Sequence, residues 1–171
     1  MPQTIARHPK ALVAIHWVTA AAVLGAWSSA EGGRAVVRNP PLVHFTLGLA
    51  VLALVLPRLV LRLRGGGAQA DSRFRPLAAA ATAGHGLLYA LLIALPLSGW
   101  YAASQMGVGV QVLGLDLPAL TAPVQGRPDA VAEFHETAGS LILLLAALHA
   151  LMALWHQFVL RDGTLRRMSL R

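Results

Sequence analysis

Four apolar segments, each long enough to cross a lipid bilayer, dominate this 171-residue chain and restrict what it can fold into. They run over about Ala11–Ser28, Pro41–Val60, Leu77–Ala103 and Ala130–Val159. A spanning helix needs about 20 mostly apolar residues, and it satisfies its backbone polar groups within the segment. The sequence therefore predicts an all-α, four-helix transmembrane bundle that forms a single integral-membrane domain over residues 1–171.

The composition supports a membrane protein and excludes several other classes. Hydrophobic residues make up 56% of the chain and charged residues only 12%, which is too apolar for an ordinary soluble domain. Because cysteine is absent, disulfides, thiolate ligands and cysteine-bound iron–sulfur clusters are excluded. The formal charge of +7 does not indicate nucleic-acid binding, since the basic residues flank apolar segments, where membrane topology explains them better.

The basic residues lie mostly at one set of segment ends. That side carries Arg7, Lys10, Arg58, Arg62, Arg64, Arg73, Arg75, Arg161, Arg166, Arg167 and Arg171, whereas the other side carries only Arg34, Arg38 and Arg127. Cytoplasmic loops carry the excess of Lys and Arg in membrane proteins, so both termini are expected in the cytoplasm. The first segment is long and contains His16, so we expect it to remain as a helix and not to be cleaved as a signal peptide.

Four of the histidines inside these apolar segments pair by their depth in the bilayer. His135 and His149 are fourteen residues apart on the fourth segment, which is about 21 Å along a helix and nearly the same helix face. His16 lies at the depth of His149 in the cytoplasmic half, and His44 lies at the depth of His135 near the outer surface. Two histidine pairs are therefore predicted, one above the other.

Paired imidazoles inside a membrane indicate haem. Ionisable residues are rare in spanning segments and usually face the interior of the bundle. Two neutral imidazoles fill both axial positions of a haem iron, which suits electron transfer better than oxygen activation. The sequence thus predicts two b-type haems stacked across the bilayer. The alternatives are histidines that only form hydrogen bonds between helices, or a Zn or Cu site within one layer.

Residues near the histidines fit this interpretation. Gly48 and Gly139 follow His44 and His135 by one helical turn, where a flat macrocycle needs small neighbours. Arg58 lies fourteen residues after His44, so it shares the same face one layer deeper and is a candidate to bind haem propionates. A snorkelling arginine at a helix end is the alternative for Arg58 and, more strongly, for Arg62 one turn later.

The remaining histidines and the loops have less definite roles. His85 lies in the cytoplasmic half of the third segment and is a candidate to bind quinone, to carry protons, to replace a ligand or simply to form a buried hydrogen bond. His156 is expected to be a polar residue near the cytoplasmic surface, and His8 is expected in solvent. The long connection Gln105–Asp129 is expected either to shape a donor pocket, with Arg38 and Arg127 nearby, or to shield a haem edge.

The sequence resembles the bacterial cytochrome b561 family over nearly its whole length. The matching pieces are ALVAIHW in the first segment, HFTLGLAVLALVLPRLVLRL in the second and HGLLYALLIALPLSGW in the third. The fourth segment supplies FHETAGSLILLLAALHALMALWHQFVLRDGTLRRM, which is the most specific piece.

The resemblance implies a four-helix di-haem b protein of the bacterial inner membrane, with ligands at His16, His44, His135 and His149. It also implies superoxide oxidation at the periplasmic face with ubiquinone as electron acceptor, although other family members act with periplasmic redox partners. Three hypotheses remain open: a quinone-linked oxidoreductase, a non-enzymatic electron-relay subunit, and a haem-free structural membrane protein.

Overall fold

The structure is a computed structural model, and it describes residues 9–31, 35–64, 75–125 and 130–170. The helices are α1 (Lys10–Ser28), α2 (Ala35–Arg38), α3 (Leu42–Arg64), α4 (Arg75–Gln105), α5 (Ala130–Trp155) and α6 (Thr164–Arg167), with a π-helix (His156–Leu160) between α5 and α6. Two short strands, β1 (Gln111–Val112) and β2 (Leu115–Asp116), form an antiparallel hairpin in which Gln111 pairs with Asp116.

Within the described ranges, four helices are long and apolar enough to cross a membrane. These spans are Lys10–Ser28, Leu42–Arg64, Ala79–Gln105 and Ala130–Leu160, so the predicted all-α transmembrane bundle is confirmed. The second span runs four residues past its predicted end and continues through Pro57 to Arg64. A helix tolerates proline in a membrane bundle, and its terminal arginines can extend toward the headgroups, which explains the longer span.

The bundle has two ends, which we name by what lies there. The loop face holds the end of α1, the start of α3, the end of α4 and the start of α5, together with the β-hairpin. The terminal face holds the start of α1 and the C-terminal segment after α5. At the terminal face, α1 is joined to the C-terminal segment because the Trp17 indole Nε1 donates a 3.1 Å hydrogen bond to the backbone carbonyl of Met168.

The main apolar core fills the middle of the bundle. It comprises the buried residues Ala22, Val51, Val55, Leu91, Leu92, Ala138 and Ile142, contributed by all four long helices. Ile142 lies seven residues from both His135 and His149 along α5. The core therefore separates the two depths at which the sequence places histidines, and the outward-facing side chains of the helices are left exposed, as a lipid-facing surface requires.

The connection after α4 folds back over the loop face. The Trp100 indole donates to the Pro118 carbonyl at 3.1 Å, and the Ser104 hydroxyl accepts from the Leu120 backbone N–H at 3.1 Å. A second buried cluster joins this connection to the helices through Val36, Ala103, Val108 and Val110. These contacts fix the described part of the loop against the bundle.

The carboxylate of Asp162 connects the π-helix to the start of α6 at the terminal face. Asp162 follows the π-helix and accepts a 2.5 Å contact from His156 Nδ1, while its other oxygen accepts from the Thr164 N–H at 3.0 Å. Partial burial alone would raise the pKa of the Asp162 carboxyl, but the hydrogen bonds from His156 and Thr164 hold that pKa below its usual value. The ionised carboxylate thus fastens α6 to the end of α5.

We expect Asp162→Ala to loosen α6, because it removes the acceptor for both partners. Backbone amide exchange at Thr164 should accelerate about fivefold, the factor for one net hydrogen bond of about 1 kcal/mol. Since the pKa is lowered in the folded protein, this contribution is present above the ordinary carboxyl pKa and is lost as the pH falls through the lowered value. Asp116→Ala, at the opposite face, is the control, and equal acceleration in both variants would contradict the assignment.

Candidate functional site

The two histidines predicted near the outer surface meet at the loop face. The ring centroids of His44, from α3, and His135, from α5, lie 5.9 Å apart with an interplanar angle of 78°. The two helices start at the same end of the bundle, which brings these residues to one depth although they are far apart in sequence. The structure therefore brings together the pair expected from depth alone.

Backbone carbonyls of the other two helices orient both rings. His44 Nδ1 donates to the Ala26 carbonyl at 2.7 Å, and His135 Nδ1 donates to the Leu95 carbonyl at 3.0 Å, with the Ser98 hydroxyl 3.2 Å from the same nitrogen. A carbonyl only accepts, so each Nδ1 carries the proton and each Nε2 keeps its lone pair. Metal-binding histidines commonly show this arrangement, in which the second nitrogen donates to a carbonyl.

A large cavity surrounds this pair. Its volume is about 1650 Å³, above the roughly 300–1,000 Å³ of ordinary ligand pockets, and His44, His135, Gly48 and Gly139 all line it. A Cβ atom built on Gly48 or Gly139 would meet nothing within 4 Å. The two glycines predicted to leave room beside a macrocycle therefore do border open space.

Two residues of α4 contact the His135 ring of this pair, and the sequence did not identify either of them. Gly99 packs so tightly against His135 that an added Cβ would lie 2.7 Å from Cε1 of the ring. Ser98 is buried and contributes the hydroxyl beside His135 Nδ1. The only available signal was the small pair Ser-Gly within LPLSGW, and small residues are too common in this chain for that signal to be specific.

The charged residues that line the cavity, within the part of the chain that the structure describes, are Glu31, Glu133 and Glu136. Arg38 is exposed on α2 and does not line the cavity itself, although the preceding residues Val36 and Val37 do. Arg34 and Arg127, the other two basic residues predicted on this side, lie outside the described residues. We call these three glutamates of the described cavity wall the acidic rim.

A second histidine cluster lies toward the terminal face. The ring centroids of His16, from α1, and His149, from α5, are 6.4 Å apart with an interplanar angle of 72°. The His16 Nδ1 atom is buried without a hydrogen-bond partner. The structure thus also brings together the second predicted pair, although fewer polar groups fix its rings than at the loop face.

Arg58 and Arg62 flank this cluster on α3. The guanidinium carbons of Arg58 and Arg62 lie 5.4 Å and 5.5 Å from the centre of the Tyr89 ring on α4, which is a cation–π arrangement. Arg58 also interacts electrostatically with His16 and His149, and its Nε atom is buried without a partner. Arg58 is therefore directed into the bundle beside the histidines and does not extend only to the membrane surface.

The other histidines are distributed unequally. His85 lies in the same cluster, with its ring centroid 5.2 Å from that of His149. His156 lies at the end of α5 and pairs with Asp162, which matches a polar residue near the surface. His8 lies outside the described residues. Three histidines therefore meet at the terminal-face cluster, where two would complete one haem iron.

The spacing of the two pairs fits axial coordination of a haem. A metal–imidazole bond measures about 2 Å, and two such bonds in line, with the half-widths of the rings, separate the ring centroids by about 6 Å. The separations of 5.9 Å and 6.4 Å match this value, whereas 5.2 Å between His85 and His149 is shorter. The free lone pairs, the open space beside Gly48 and Gly139 and the unpaired Arg58 Nε fit the same group.

Another type of metal site is not favoured by the side chains. No group of three or more His, Asp or Glu residues suited to hold a metal ion occurs among the described residues. Structural Zn sites use four protein ligands, and catalytic ones use three. Two separate pairs of histidines, with ring centroids 5.9 Å and 6.4 Å apart, fit haem iron better than either.

Comparisons with known proteins agree with this geometry. The family profile described as prokaryotic cytochrome b561 matches residues 7–169. A protein named "Probable superoxide oxidase CybB" from Yersinia pestis is 32% identical over 161 residues, which cover 91% of this chain and 92% of that protein. "Cytochrome b561 homolog 2" from Escherichia coli (strain K12) is 30% identical over 166 residues, which cover 91% of this chain and 87% of that protein.

A more distant relative agrees as well. "Cytochrome b561 homolog 1" from the same strain is 27% identical over 178 residues, which cover 96% of this chain. The hypothesis of a haem-free structural protein does not fit these relationships. The chain belongs to the prokaryotic cytochrome b561 family and is a membrane b-type cytochrome with a role in electron transfer.

Proposed function

We propose that this protein holds two b haems and carries electrons from a donor at the loop face to ubiquinone in the membrane. His44 and His135 are the axial ligands of one haem, and His16 and His149 are those of the other. The observation that carries this proposal is the presence of two histidine pairs, at two depths, with ring separations of 5.9 Å and 6.4 Å. Each pair joins α5 to a different helix, which ties the two sites into one bundle.

The protein residues hold and orient the cofactor. The carbonyls of Ala26 and Leu95 keep His44 and His135 in the tautomer whose Nε2 can bind iron. Arg58 provides a guanidinium for the haem carboxylates, which it can bind through two parallel hydrogen bonds. When bound, haem supplies reversible one-electron chemistry at iron.

We further propose that the protein lies in the bacterial inner membrane with both termini in the cytoplasm. The terminal face carries Lys10, Arg161, Arg166 and Arg167, and the positive-inside rule places such a face in the cytoplasm. The loop face then lies toward the periplasm. A reporter domain fused at position 66 should lie in the cytoplasm. Activity of a reporter that works only in the periplasm would contradict this orientation.

Superoxide is the first candidate for the donor. It is suggested by the printed name of the Yersinia pestis relative, a probable superoxide oxidase, which aligns with 91% of this chain. The protein would then be an enzyme that oxidises superoxide and reduces ubiquinone. The basic residues on this side are Arg34, Arg38 and Arg127, of which Arg38 is exposed on α2.

The acidic rim favours a second candidate, a non-enzymatic relay that accepts electrons from a basic periplasmic redox protein. Glu31, Glu133 and Glu136 line the cavity that surrounds His44 and His135. Negative charge repels a small anion but attracts a basic protein surface, and it raises the association rate at low ionic strength. The two candidates therefore predict opposite effects of the same charges.

The ligand assignment predicts which histidine variants lose haem. His44→Ala and His135→Ala should each reduce the haem content from about two per chain to about one, because one axial ligand is lost. His16→Ala and His149→Ala should each remove the other haem. Haem-to-protein ratio and the optical spectrum of the purified protein measure both effects.

His85→Ala is the matched control for the terminal-face pair, because His85 also lies beside His149. It should retain both haems, since the shorter ring separation leaves less room for iron. If His85→Ala loses a haem and His16→Ala does not, the partner of His149 is His85 on α4 and the proposed pair is wrong.

Gly99 provides a test of the loop-face site without touching a ligand. Gly99→Ala would place a Cβ 2.7 Å from His135 Cε1, so the ring must move although hydrogen bonds to Leu95 and Ser98 hold it. We expect weaker haem retention at the loop face or a changed low-spin spectrum, with a stability cost of about 1–3 kcal/mol from overpacking.

Gly86→Ala is the control in the same helix, because a Cβ on Gly86 would meet nothing within 4 Å. It should keep the spectrum and the haem content of the parent protein. Identical spectra for the two variants would show that the position of the His135 ring does not determine binding at the loop face.

Neutralising the rim distinguishes the two donors. In liposomes that contain ubiquinone, Glu31→Gln with Glu133→Gln should speed reduction by superoxide severalfold at low salt, because repulsion of the anion is removed. The same variant should slow reduction by a basic redox protein. Both effects should shrink as salt screens the charges.

The readout is stopped-flow haem absorbance together with quinol formation. The enzyme is supported if quinol forms from superoxide and if the rate rises when the glutamates of the rim are neutralised. Reduction only by the basic protein supports the relay. If quinone is not reduced with either donor, the proposed acceptor is wrong, whereas the haem-retention experiments still test the ligand assignment independently.

A further inference from the structure

The hairpin between α4 and α5 turns through two residues with positive φ. Leu113 has φ of 52° and Gly114 has φ of 82°, so β1 and β2 are joined by a two-residue turn with left-handed backbone at both positions. Such turns strongly favour Asn-Gly or Asp-Gly, because Asn and Asp tolerate this conformation. A leucine at the first position is therefore strained.

The same leucine is almost fully exposed. Leu113 is 88% exposed and Leu115, on the next strand, is 70% exposed. In water, this tip would combine backbone strain with a large exposed apolar surface, and asparagine would avoid both costs. An apolar environment outside the described chain would offset both costs, because it would remove this surface from water.

The position of the tip relative to α3 indicates what that environment is. A groove of about 390 Å³ separates Leu113 and Gly114 from residues Leu42, Val43, Thr46 and Leu47. These α3 residues begin a membrane-spanning helix, and they cover about 7.5 Å of helix rise. Leu42 and Val43 are themselves 49% and 59% exposed. The tip thus lies beside the first turn and a half of a span, on a lipid-facing side.

The opposite end of the hairpin belongs to the loop that walls the haem cavity. The Leu117 N–H donates to the Val110 carbonyl at 2.9 Å, and Val110 is buried and lines the cavity around His44 and His135. Gln111 Nε2 donates to Asp116 Oδ1 at 2.6 Å across the two strands. A fixed tip would therefore also hold this wall in place.

We propose that the Leu113 tip inserts among the lipid acyl chains of the leaflet at the loop face and anchors the hairpin to the membrane. Lipid is the occupant that fits, because the groove is continuous with the apolar face of a spanning helix and carries no charged side chain. Insertion of Leu113 and Leu115 removes their apolar surface from water, which offsets the strained turn. The hairpin is then a membrane-supported wall of the loop-face cavity.

The absence of cysteine permits a direct test on the full-length haem-loaded protein. A nitroxide is attached at Leu113→Cys, at Leu120→Cys and at Leu144→Cys in phosphatidylcholine–phosphatidylglycerol vesicles. Leu120 is a half-exposed leucine of the same loop away from the tip, and Leu144 is a lipid-facing reference on α5. Power-saturation spectroscopy compares collisions with oxygen, which concentrates in lipid, and with a water-soluble nickel chelate.

We expect the Leu113 label to resemble the Leu144 label, with oxygen collisions dominant, and to differ from the Leu120 label by severalfold in the ratio of the two collision rates. Nickel accessibility equal to that at Leu120 would overturn the proposal. Protection from both reagents would indicate a protein partner and would overturn it as well. If labelling at Leu113 lowers haem content, the label at Leu115→Cys provides the same comparison.

Discussion

Polar groups inside the hydrocarbon region need partners, and the two imidazoles at the loop face find theirs on neighbouring helices. His44 of α3 is bonded to a carbonyl of α1, and His135 of α5 is bonded to a carbonyl of α4. An unsatisfied buried donor in an apolar medium costs several kcal/mol, so these contacts fix both the ring orientation and the helix positions. The ligand geometry proposed at the loop face therefore depends on α1 and α4, which supply no ligand to that site.

Much of this architecture follows from the sequence because it depends on the length and apolarity of each segment and on the position of each residue along its helix. The four spans were predicted from segment length and apolarity, and the two histidine pairs were predicted from depth along each helix. Both sets of residues meet as expected, with ring separations near 6 Å. Arg58 was likewise placed on the face of His44 by a fourteen-residue spacing, and it does lie beside the terminal-face cluster.

Other features could not be predicted because they depend on side chains packed across helices. The contact of Gly99 with His135 joins α4 to α5, and no pattern within α4 identifies which of its small residues faces a ring. The approach of His85 to His149 is a second example, since depth places both residues in one layer without ranking them. The sequence also does not show which charged residues line the cavity, because Glu31 follows α1 whereas Glu133 and Glu136 lie on α5, and only the packed bundle brings them to one wall.

The apolar core between the two histidine layers has an electrical consequence. His135 and His149 are separated by about 21 Å of helix, roughly two-thirds of a hydrocarbon thickness of about 30 Å. In the proposed orientation, an electron that moves from the depth of His135 to that of His149 travels toward the negative side of an energised membrane. A full crossing by one charge involves about 2.3 kcal/mol per 100 mV, so this partial crossing opposes the field by about 1.5 kcal/mol per 100 mV. The helical spacing along α5, with the apolar core of Val51, Val55 and Ile142 between the two depths, would therefore make turnover sensitive to membrane voltage, slower in an energised cell than in a depolarised one.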